Sequence, residues 1–315
     1  MVEAATSGHP LVVIVGPTAS GKTSLALKLA EQFDGEIVSC DAVAVYRGLD
    51  VGSAKPTAAE RARAPHHAID ILDANEASTA GDYARSARAA LTQIKERGRL
   101  PIVTGGTGLY LRALLEGLAP APPRDEELRD RLRERATQHG PEYLHRLLKR
   151  LDPAAAETIH PNDVPKMIRS VEVTLAGRQP QSEQWQAGRD RLQGFRVLQM
   201  GLNPPRVALY ARINERAARM FEEGLLEETT AARERYGDAC RALGSLGYAQ
   251  AVAMLRGEMT RAEAIAAAQQ GHRNYAKRQM TWFRRDKEIE WLAGFGDDAN
   301  VQTRAAEMVR RHVAG

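Results

Sequence analysis

Short apolar runs alternate with longer amphipathic stretches along the first hundred residues. Runs rich in β-branched residues are typical of buried strands, whereas apolar residues three and four positions apart indicate one face of a helix. The predicted strands lie at residues 11–15, 36–39, 68–72 and 100–106, and the predicted helices at residues 22–33 and 81–97. Strands that alternate with helices favour a parallel sheet covered on both faces. The pattern therefore predicts an α/β fold.

This alternation stops at three prolines between residues 120 and 123. Residues 124–181 are charged and have helical spacing with almost no strand-like run, and strand character returns at residues 195–202. We interpret the charged stretch as a helical insertion domain. The predicted domains are a core formed by residues 1–120 and 196–315 and an insertion formed by residues 121–195.

Composition changes this picture little. Hydrophobic residues make up 43% of the 315 residues and charged residues 27%, which is typical of a soluble globular protein. The net charge of +4 permits a nucleic-acid partner without requiring one. Cys40 and Cys240 are too few for a disulfide framework or a four-cysteine zinc site. No run is long and apolar enough for a membrane span, so we expect a cytoplasmic protein that does not associate with membranes.

A phosphate-binding loop follows the first predicted strand. Its sequence, GPTASGKT, fits the pattern G-x-x-x-x-G-K-[ST] between a strand and a helix. In such loops the backbone N–H groups point at phosphate oxygens, the lysine supplies a positive charge, and the last hydroxyl can bind Mg²⁺. The predicted loop residues are Gly16, Pro17, Thr18, Ala19, Ser20, Gly21, Lys22 and Thr23. The sequence thus predicts phosphate binding, with Thr23 as a Mg²⁺ ligand.

The acidic residue that P-loop NTPases carry on a second strand is missing. The best candidate strand, at residues 100–106, ends in Thr104, Gly105 and Gly106. This loop is therefore better suited to holding a phosphate leaving group than to nucleotide hydrolysis.

Asp41 directly follows the second predicted strand, and so we expect it at the carboxyl edge of the sheet beside the phosphate-binding loop. There a carboxylate can accept a proton or hold Mg²⁺ through water. The alternative is a turn cap, since aspartate often begins turns. The glycine-rich residues 45–56 predict an ordered loop rather than a helix.

With these segments considered together, the chain resembles the tRNA dimethylallyltransferase family, also called tRNA isopentenyltransferases. The matching blocks are GPTASGKT, Asp41 with VYRGLDVGSAKP, GGTGLYLRALLEGL from residue 105, HPND with Arg169 and Glu172, LYARI, LGY, and NYAKRQMTWFR from residue 274. A phosphate-binding loop is shared by many families, but these ordered blocks together are specific. The resemblance implies a P-loop NTPase-like sheet flanked by helices, with a helical insertion.

Several positions depart from the family pattern. Ala42 and Ala44 replace a serine and a glutamine near the target base, and Pro165 and Lys166 stand where glutamine and arginine are more common. Because no cysteine follows Cys240, we do not expect the zinc finger of eukaryotic relatives, and the chain resembles the bacterial form.

The resemblance implies transfer of a dimethylallyl group from dimethylallyl diphosphate to N6 of an adenosine. That adenosine is tRNA position 37, immediately 3′ of the anticodon, so the expected partner is the tRNA anticodon stem-loop. Lys22 and Mg²⁺ would hold the diphosphate, Asp41 would take the proton of the amine, and Arg206 would assist at the diphosphate. Without the resemblance, the sequence predicts that Arg206 is a surface residue near the start of a helix.

The resemblance also implies a set of tRNA-binding residues, for which simpler roles exist. Thr107 could cap the helix after it, and Arg129 could lie on a solvated helix face. The implied positions are Asp41, Ala42, Val43, Ala44, Thr107, Arg129, Pro165, Lys166, Met167, Ile168, Arg169, Arg273, Lys277 and Arg278.

Residues 272–285 contain five cations and no acid, with Tyr275, Trp282 and Phe283 between the cations. Cations that neutralise RNA phosphates and aromatics that stack on bases would suit RNA binding. The alternative is an amphipathic helix with its aromatic residues in the core, and both interpretations can hold together.

Three other functions compete with tRNA prenylation. A small-molecule kinase would share the phosphate-binding loop but leaves the basic segment unexplained, and an adenylate isopentenyltransferase leaves HPND and the basic segment unexplained. A non-catalytic RNA-binding module would not need an intact phosphate-binding loop, so the intact loop argues against it.

We expect the protein to act as a monomer.

Overall fold

The computed structural model describes residues 8–119, 121–186 and 189–315. It divides into two compact units, a core unit (Met1–Leu115 with Leu192–Gly315) and a helical unit (Glu116–Arg191). The predicted insertion was residues 121–195, and Pro120, in the predicted proline break, lies outside the described residues. In the part of the chain that the structure describes, no helix is both long and apolar enough to cross a bilayer.

Six strands form one sheet in the core unit, in the order β3-β2-β4-β1-β5-β6. Every pairing between these strands is parallel, as the alternating pattern predicted. The strands are β1 (His9–Val15), β2 (Gly35–Cys40), β3 (His66–His67), β4 (Leu100–Gly105), β5 (Phe195–Leu202) and β6 (Ile289–Leu292). The predicted α/β fold is confirmed.

Helices follow the strands and also form the helical unit. They are α1 (Lys22–Gln32), α2 (Ala58–Arg63), α3 (Ala80–Glu96), α4 (Gly108–Leu115), α5 (Glu126–His139), α6 (Pro141–Leu151), α7 (Pro153–Thr158), α8 (Val164–Gly177), α9 (Gln181–Gln186), α10 (Arg206–Glu222), α11 (Leu225–Tyr236), α12 (Tyr248–Leu255), α13 (Arg261–Phe283) and α14 (Ala299–Ala314).

Alternate residues of β1 pack on opposite faces of the sheet. Val12 and Ile14 join a core with side chains of α1 and α14, whereas Leu11, Val13 and Val15 join a core with side chains of α3 and α4. A strand buried on both faces is apolar at every position, because neither side meets water. This explains the uninterrupted run LVVIV.

The third strand lies before its predicted position. β3 is His66–His67, and Ala68 and Asp70 adopt positive φ angles of 58° and 55°, which end the extended backbone. Leu72 forms an isolated parallel bridge with Tyr46. The strand predicted at residues 68–72 is therefore wrong, because its apolar residues serve a bent segment rather than a strand.

Residues 45–56 form an ordered series of turns, as predicted, and side chains from elsewhere hold them. Glu228 of α11 accepts hydrogen bonds from the backbone N–H groups of residues 50–52 at 2.6, 2.9 and 3.2 Å. The buried Lys55 ammonium donates to the Tyr46 carbonyl at 2.5 Å and to the Asp70 carboxylate at 2.6 Å. Buried backbone groups outside regular structure need such partners.

The helical unit has its own apolar core. The buried residues of this core are Leu132, Leu144, Leu148, Ala155, Ala156, Ile159, Met167, Ile168 and Val171. Met167 is fully buried and Ile168 is 4% exposed. The prediction that these two residues bind tRNA is wrong for their side chains, since both pack inward.

Glu172 organises the charged side of this unit. Its fully buried carboxylate accepts hydrogen bonds from Arg129 at 2.8 and 2.9 Å and from Arg169 at 2.6 Å. The Arg129 side chain is only 12% exposed, so the solvated-face alternative for it is wrong. Burial raises the pKa of Glu172, but hydrogen bonds from the two arginines outweigh burial and lower it.

Candidate active site

The phosphate-binding loop connects β1 to α1 at the carboxyl edge of the sheet. Gly16 and Gly21 have positive φ angles of 149° and 84°. A Cβ atom at Gly21 would lie 2.8 Å from the backbone nitrogen of Gly296, and so only glycine fits there. Residues 18–24 line a cavity of about 560 Å³, with α1 beginning at its wall.

Lys22 is half-buried at this wall. Its ammonium donates to the carbonyl oxygens of Gly16 and Pro17 at 3.0 and 2.8 Å. Burial, followed by the positive charge of Arg216, lowers the pKa of Lys22 to about 7, although Asp41 acts in the opposite direction. Without an anion, this site stabilises the ammonium poorly, and a phosphate group would supply the missing negative charge.

A second cation comes from the middle of α10. The Arg216 guanidinium lines the cavity and donates to the Thr18 hydroxyl. Burial lowers the pKa of Arg216 to about 10, partly offset by Asp41. Arg212 and Arg219 also line the cavity.

Arg206 does not occupy the position predicted for it. It is exposed at the first position of α10, where its guanidinium stacks on the ring of Tyr210 at 5.1 Å. The geometry therefore contradicts the predicted role of Arg206 and favours Arg216. The spacing of Arg212, Arg216 and Arg219 places them on one helix face, a signal that was available in the sequence.

Asp41 follows β2 and lines the same cavity. Its Oδ1 atom accepts hydrogen bonds from the N–H groups of Val43 and Ala44 at 2.8 and 3.2 Å. The turn-cap alternative therefore holds for Oδ1. Within the described residues Oδ2 has no hydrogen-bond partner, so one carboxylate oxygen is available to a substrate.

The backbone N–H groups of residues 42–44, in the turn after Asp41, all donate hydrogen bonds. The N–H group of Ala42 donates to the Thr107 hydroxyl at 3.1 Å, and those of Val43 and Ala44 donate to Asp41. Thr107 therefore holds this turn in addition to preceding α4. Ala44 lines the cavity, where its methyl group leaves the space that a glutamine would fill.

Two residues of α13 connect the loops around the cavity. The buried Gln279 amide accepts a hydrogen bond from the N–H of Thr18 at 2.8 Å and donates to the carbonyl of Gly106 at 3.0 Å. The hydroxyl of Tyr275 lies 3.5 Å from the same carbonyl, and burial followed by Asp41 raises its pKa to about 12. The role of Gln279 was missed because its contacts are remote in sequence.

The basic segment of α13 has a buried side, as the core-packing alternative predicted for Phe283, and an exposed side, for which RNA binding stays a prediction. Phe283 is buried, while Lys277 and Arg278 are exposed. Arg273 is instead bonded to Asn214 of α10 and to Gln270. The cations at 277 and 278 are thus the better candidates for RNA phosphates.

The remaining predicted tRNA contacts belong to the helical unit. Pro165 and Lys166 are exposed in the first turn of α8, and Lys166 pairs with Asp163 at 2.5 Å. Arg169 and Arg129 are held by Glu172. Charged groups on this unit are therefore presented at the start of α8, and Met167 and Ile168 hold that turn to the core.

The sequence is similar to those of known prenyl-transferring proteins. A family model described as IPP transferase matches residues 44–286, and one described as isopentenyl transferase matches residues 9–70. A tRNA dimethylallyltransferase of Koribacter versatilis is 60% identical over 300 residues, which cover 95% of this chain and 98% of that protein. The corresponding protein of Solibacter usitatus is 50% identical over 303 residues, covering 96% and 98%.

Solved structures agree with these sequence matches. The crystal structure of a full-length tRNA isopentenylpyrophosphate transferase from Bacillus halodurans has 36% identity and a TM-score of 0.72, covering 97% of both chains. A eukaryotic dimethylallyltransferase captured in crystallographic snapshots acting on tRNA has 25% identity and a TM-score of 0.82, covering 97% of this chain and 80% of that chain. The chain therefore belongs to the tRNA dimethylallyltransferase family of prenyl-transferring enzymes.

Proposed function

We propose that this protein transfers a dimethylallyl group from dimethylallyl diphosphate to N6 of the adenosine at position 37 of tRNA. One observation carries the proposal: two half-buried cations, Lys22 and Arg216, and the carboxylate of Asp41 line the same cavity. A diphosphate leaving group needs the cations, and an incoming amine needs a proton acceptor. Family membership supports this pairing of substrates.

In the proposed reaction the N6 nitrogen forms a bond to C1 of the donor as the C1–O bond breaks. The electron pair of that bond leaves with the diphosphate, and the N6 proton passes to Asp41. The loop amides, Lys22 and Arg216 stabilise the negative charge on the departing diphosphate. Asp41 is suited to its role because Oδ1 fixes the side chain to the turn at the cavity, while Oδ2 has no hydrogen-bond partner within the described residues.

Mg²⁺ is the expected cofactor. Thr23 offers a hydroxyl ligand at the cavity and Asp41 a carboxylate that can hold the ion through water, and Mg²⁺ usually binds through one or two protein oxygens, phosphate oxygens and waters. Among the described residues no group of three acidic, histidine or cysteine side chains could hold a metal alone. The donor set therefore fits an ion that arrives with the diphosphate and neutralises part of its charge.

The adenosine has to leave the stack of the anticodon loop, since its amine must reach the donor carbon in the cavity. The anticodon stem-loop is therefore the proposed RNA partner, held by cations such as Lys277 and Arg278. We further propose that the protein acts as a monomer in the cytoplasm, where tRNA and the donor are both available.

The test is transfer of label from dimethylallyl diphosphate to three acceptors, which are unmodified tRNA, AMP and ATP. We expect label on tRNA alone, at the adenosine 3′ of the anticodon. A tRNA transcript with guanosine at position 37 is the matched control and should remain unlabelled. Label on AMP but not on tRNA would instead identify an adenylate prenyltransferase.

A further inference from the structure

Thr104 stands at the end of β4, the strand beside the one that leads into the phosphate-binding loop. It pairs in register with Ile14 of β1 and with Ser39 of β2. P-loop NTPases carry an acidic residue on such a strand, which helps to hold Mg²⁺. This chain has a hydroxyl at that place.

The end of β4 can offer the cavity a side chain only at residue 104. A Cβ atom at Gly105 would lie 2.1 Å from the carbonyl oxygen of Cys40, which is backbone and cannot yield. A Cβ atom at Gly106 would lie 2.0 Å from the amide nitrogen of Gln279, which is buried and hydrogen-bonded. Close packing of the two glycines therefore leaves Thr104 as the only candidate on this strand end.

The Thr104 hydroxyl is also unused by the protein. Its Oγ1 atom is buried and has no hydrogen-bond partner among the residues that the structure describes. A buried hydroxyl without a partner is destabilising, so such a group in a cavity wall calls for a ligand or an ordered water. The same cavity is lined by Thr23 and Asp41, the residues proposed above to hold Mg²⁺.

We propose that the Thr104 hydroxyl binds the hydration shell of the Mg²⁺ that accompanies the donor diphosphate, in place of the acidic residue of P-loop NTPases. This inference rests on the proposed function. A hydroxyl orients a metal-bound water without placing a further negative charge beside the departing diphosphate. Because β4 carries no carboxylate at this place, it also offers no group to which that water could lose a proton.

Thr104→Val tests the proposal, because valine keeps the shape of threonine and lacks the hydroxyl. Binding of inorganic diphosphate is measured by titration calorimetry, once with Mg²⁺ and once with EDTA. We expect Thr104→Val to weaken binding about tenfold with Mg²⁺, the usual effect of one hydrogen bond in a charged site, and to leave binding in EDTA unchanged. Thr104→Ser, which restores the hydroxyl, should bind like the parent.

Stability separates this role from a structural one. Because the hydroxyl has no partner in the described residues, Thr104→Val should unfold at the same temperature as the parent or at a higher one. A lower unfolding temperature would assign the hydroxyl to the fold. Equal Mg²⁺-dependent binding by parent and Thr104→Val would overturn the proposal, as would equal weakening with and without Mg²⁺, which indicates direct phosphate contact. If the parent protein binds diphosphate equally well with and without Mg²⁺, the proposal that Mg²⁺ is the cofactor is contradicted as well. Transfer of label to tRNA tests the proposed reaction separately.

Discussion

Individual residues at the cavity combine a structural contact with a free functional atom. Asp41 anchors its turn through Oδ1 and leaves Oδ2 to the cavity, and Arg216 bonds Thr18 while its charge faces Lys22 and Asp41. A side chain fixed at one atom loses little further freedom when it meets the substrate. The effects of substitution at these residues can therefore be divided between fold and chemistry.

Asp41→Asn should separate the two functions of this carboxylate. Asparagine keeps the Oδ1 acceptor of the turn but cannot take a proton at Oδ2. We expect turnover to fall by at least about 100-fold, the usual contribution of a general base, while tRNA binding changes little. Asp41→Ala is the comparison, since it also removes the turn contacts and should lower the unfolding temperature. Turnover of Asp41→Asn close to that of the parent would reject the base assignment.

The lowered pKa of Lys22 predicts pH-dependent donor binding. The pKa is about 7 in the free protein, and the negative diphosphate should raise it, so binding takes up a proton above pH 7. Affinity should be greatest below pH 7 and should fall by up to tenfold per unit as the pH rises above 7. Calorimetric titration with dimethylallyl diphosphate from pH 6 to pH 9 measures this slope.

Lys22→Met provides the control for that titration, because it also corrects for protonation of the diphosphate itself. This variant should bind dimethylallyl diphosphate more weakly at every pH. Its slope of log affinity against pH should be shallower by up to one, because residue 22 no longer takes up a proton on binding. The same slope in both proteins would mean that Lys22 stays charged without its ligand.

At the scale of elements, α13 performs two tasks along its 23 residues. Its inner face carries Gln279 and Phe283 into the core unit and holds the phosphate-binding loop beside α4. Its outer face presents Lys277 and Arg278 to solvent. One helix thus connects the site of chemistry to an exposed cationic surface.

Lys277→Ala together with Arg278→Ala should weaken tRNA binding and reduce its dependence on salt. Each lost phosphate contact lowers the slope of log K against log salt concentration by about 0.7 to 0.9. We expect a decrease of about 1.5 for the double variant, measured by fluorescence anisotropy at several salt concentrations. Arg310→Ala with Arg311→Ala removes an equally exposed basic pair from α14 and should leave the slope unchanged. Identical slopes in the two double variants would exclude α13 from the RNA interface.

At the scale of the whole molecule, each compact unit has a core of its own. In the helical unit, Glu172 holds Arg129 and Arg169 and also accepts the N–H of Asp125 at 2.6 Å. Since its pKa is lowered, Glu172 stabilises this unit above its ordinary value of 4.5, and that stabilisation is lost as the pH falls through the lowered pKa.

Glu172→Gln should therefore destabilise the helical unit selectively. Breaking a buried ion pair by removing one of its charges typically costs about 3 kcal/mol. Hydrogen exchange of the full chain should accelerate in α5 and α8 and remain unchanged in the strands of the core unit. Glu127→Gln, on the exposed side of α5, is the matched control and should change exchange little. Uniformly faster exchange in both units would contradict a local role for Glu172.

The sequence by itself determined the features that are set by neighbouring residues. Residues 11–15 and 100–103 are apolar because their strands are buried on both faces, and the phosphate-binding loop is encoded in eight consecutive residues. The position of Asp41 followed because a residue after a parallel strand must lie at the carboxyl edge. These inferences needed no knowledge of the rest of the chain.

Only the tertiary structure decided which residues meet across the chain. Gln279 reaches Thr18 across 261 positions, and Arg216 rather than Arg206 lines the cavity because α10 turns that face inward. The resemblance placed Met167 among the RNA contacts, but a sequence match does not show which face of a helix is buried, and the Met167 side chain packs inward. That the buried Thr104 hydroxyl has no hydrogen-bond partner among the described residues also emerged only from the structure, since hydrogen bonding and burial depend on the folded surroundings of a residue.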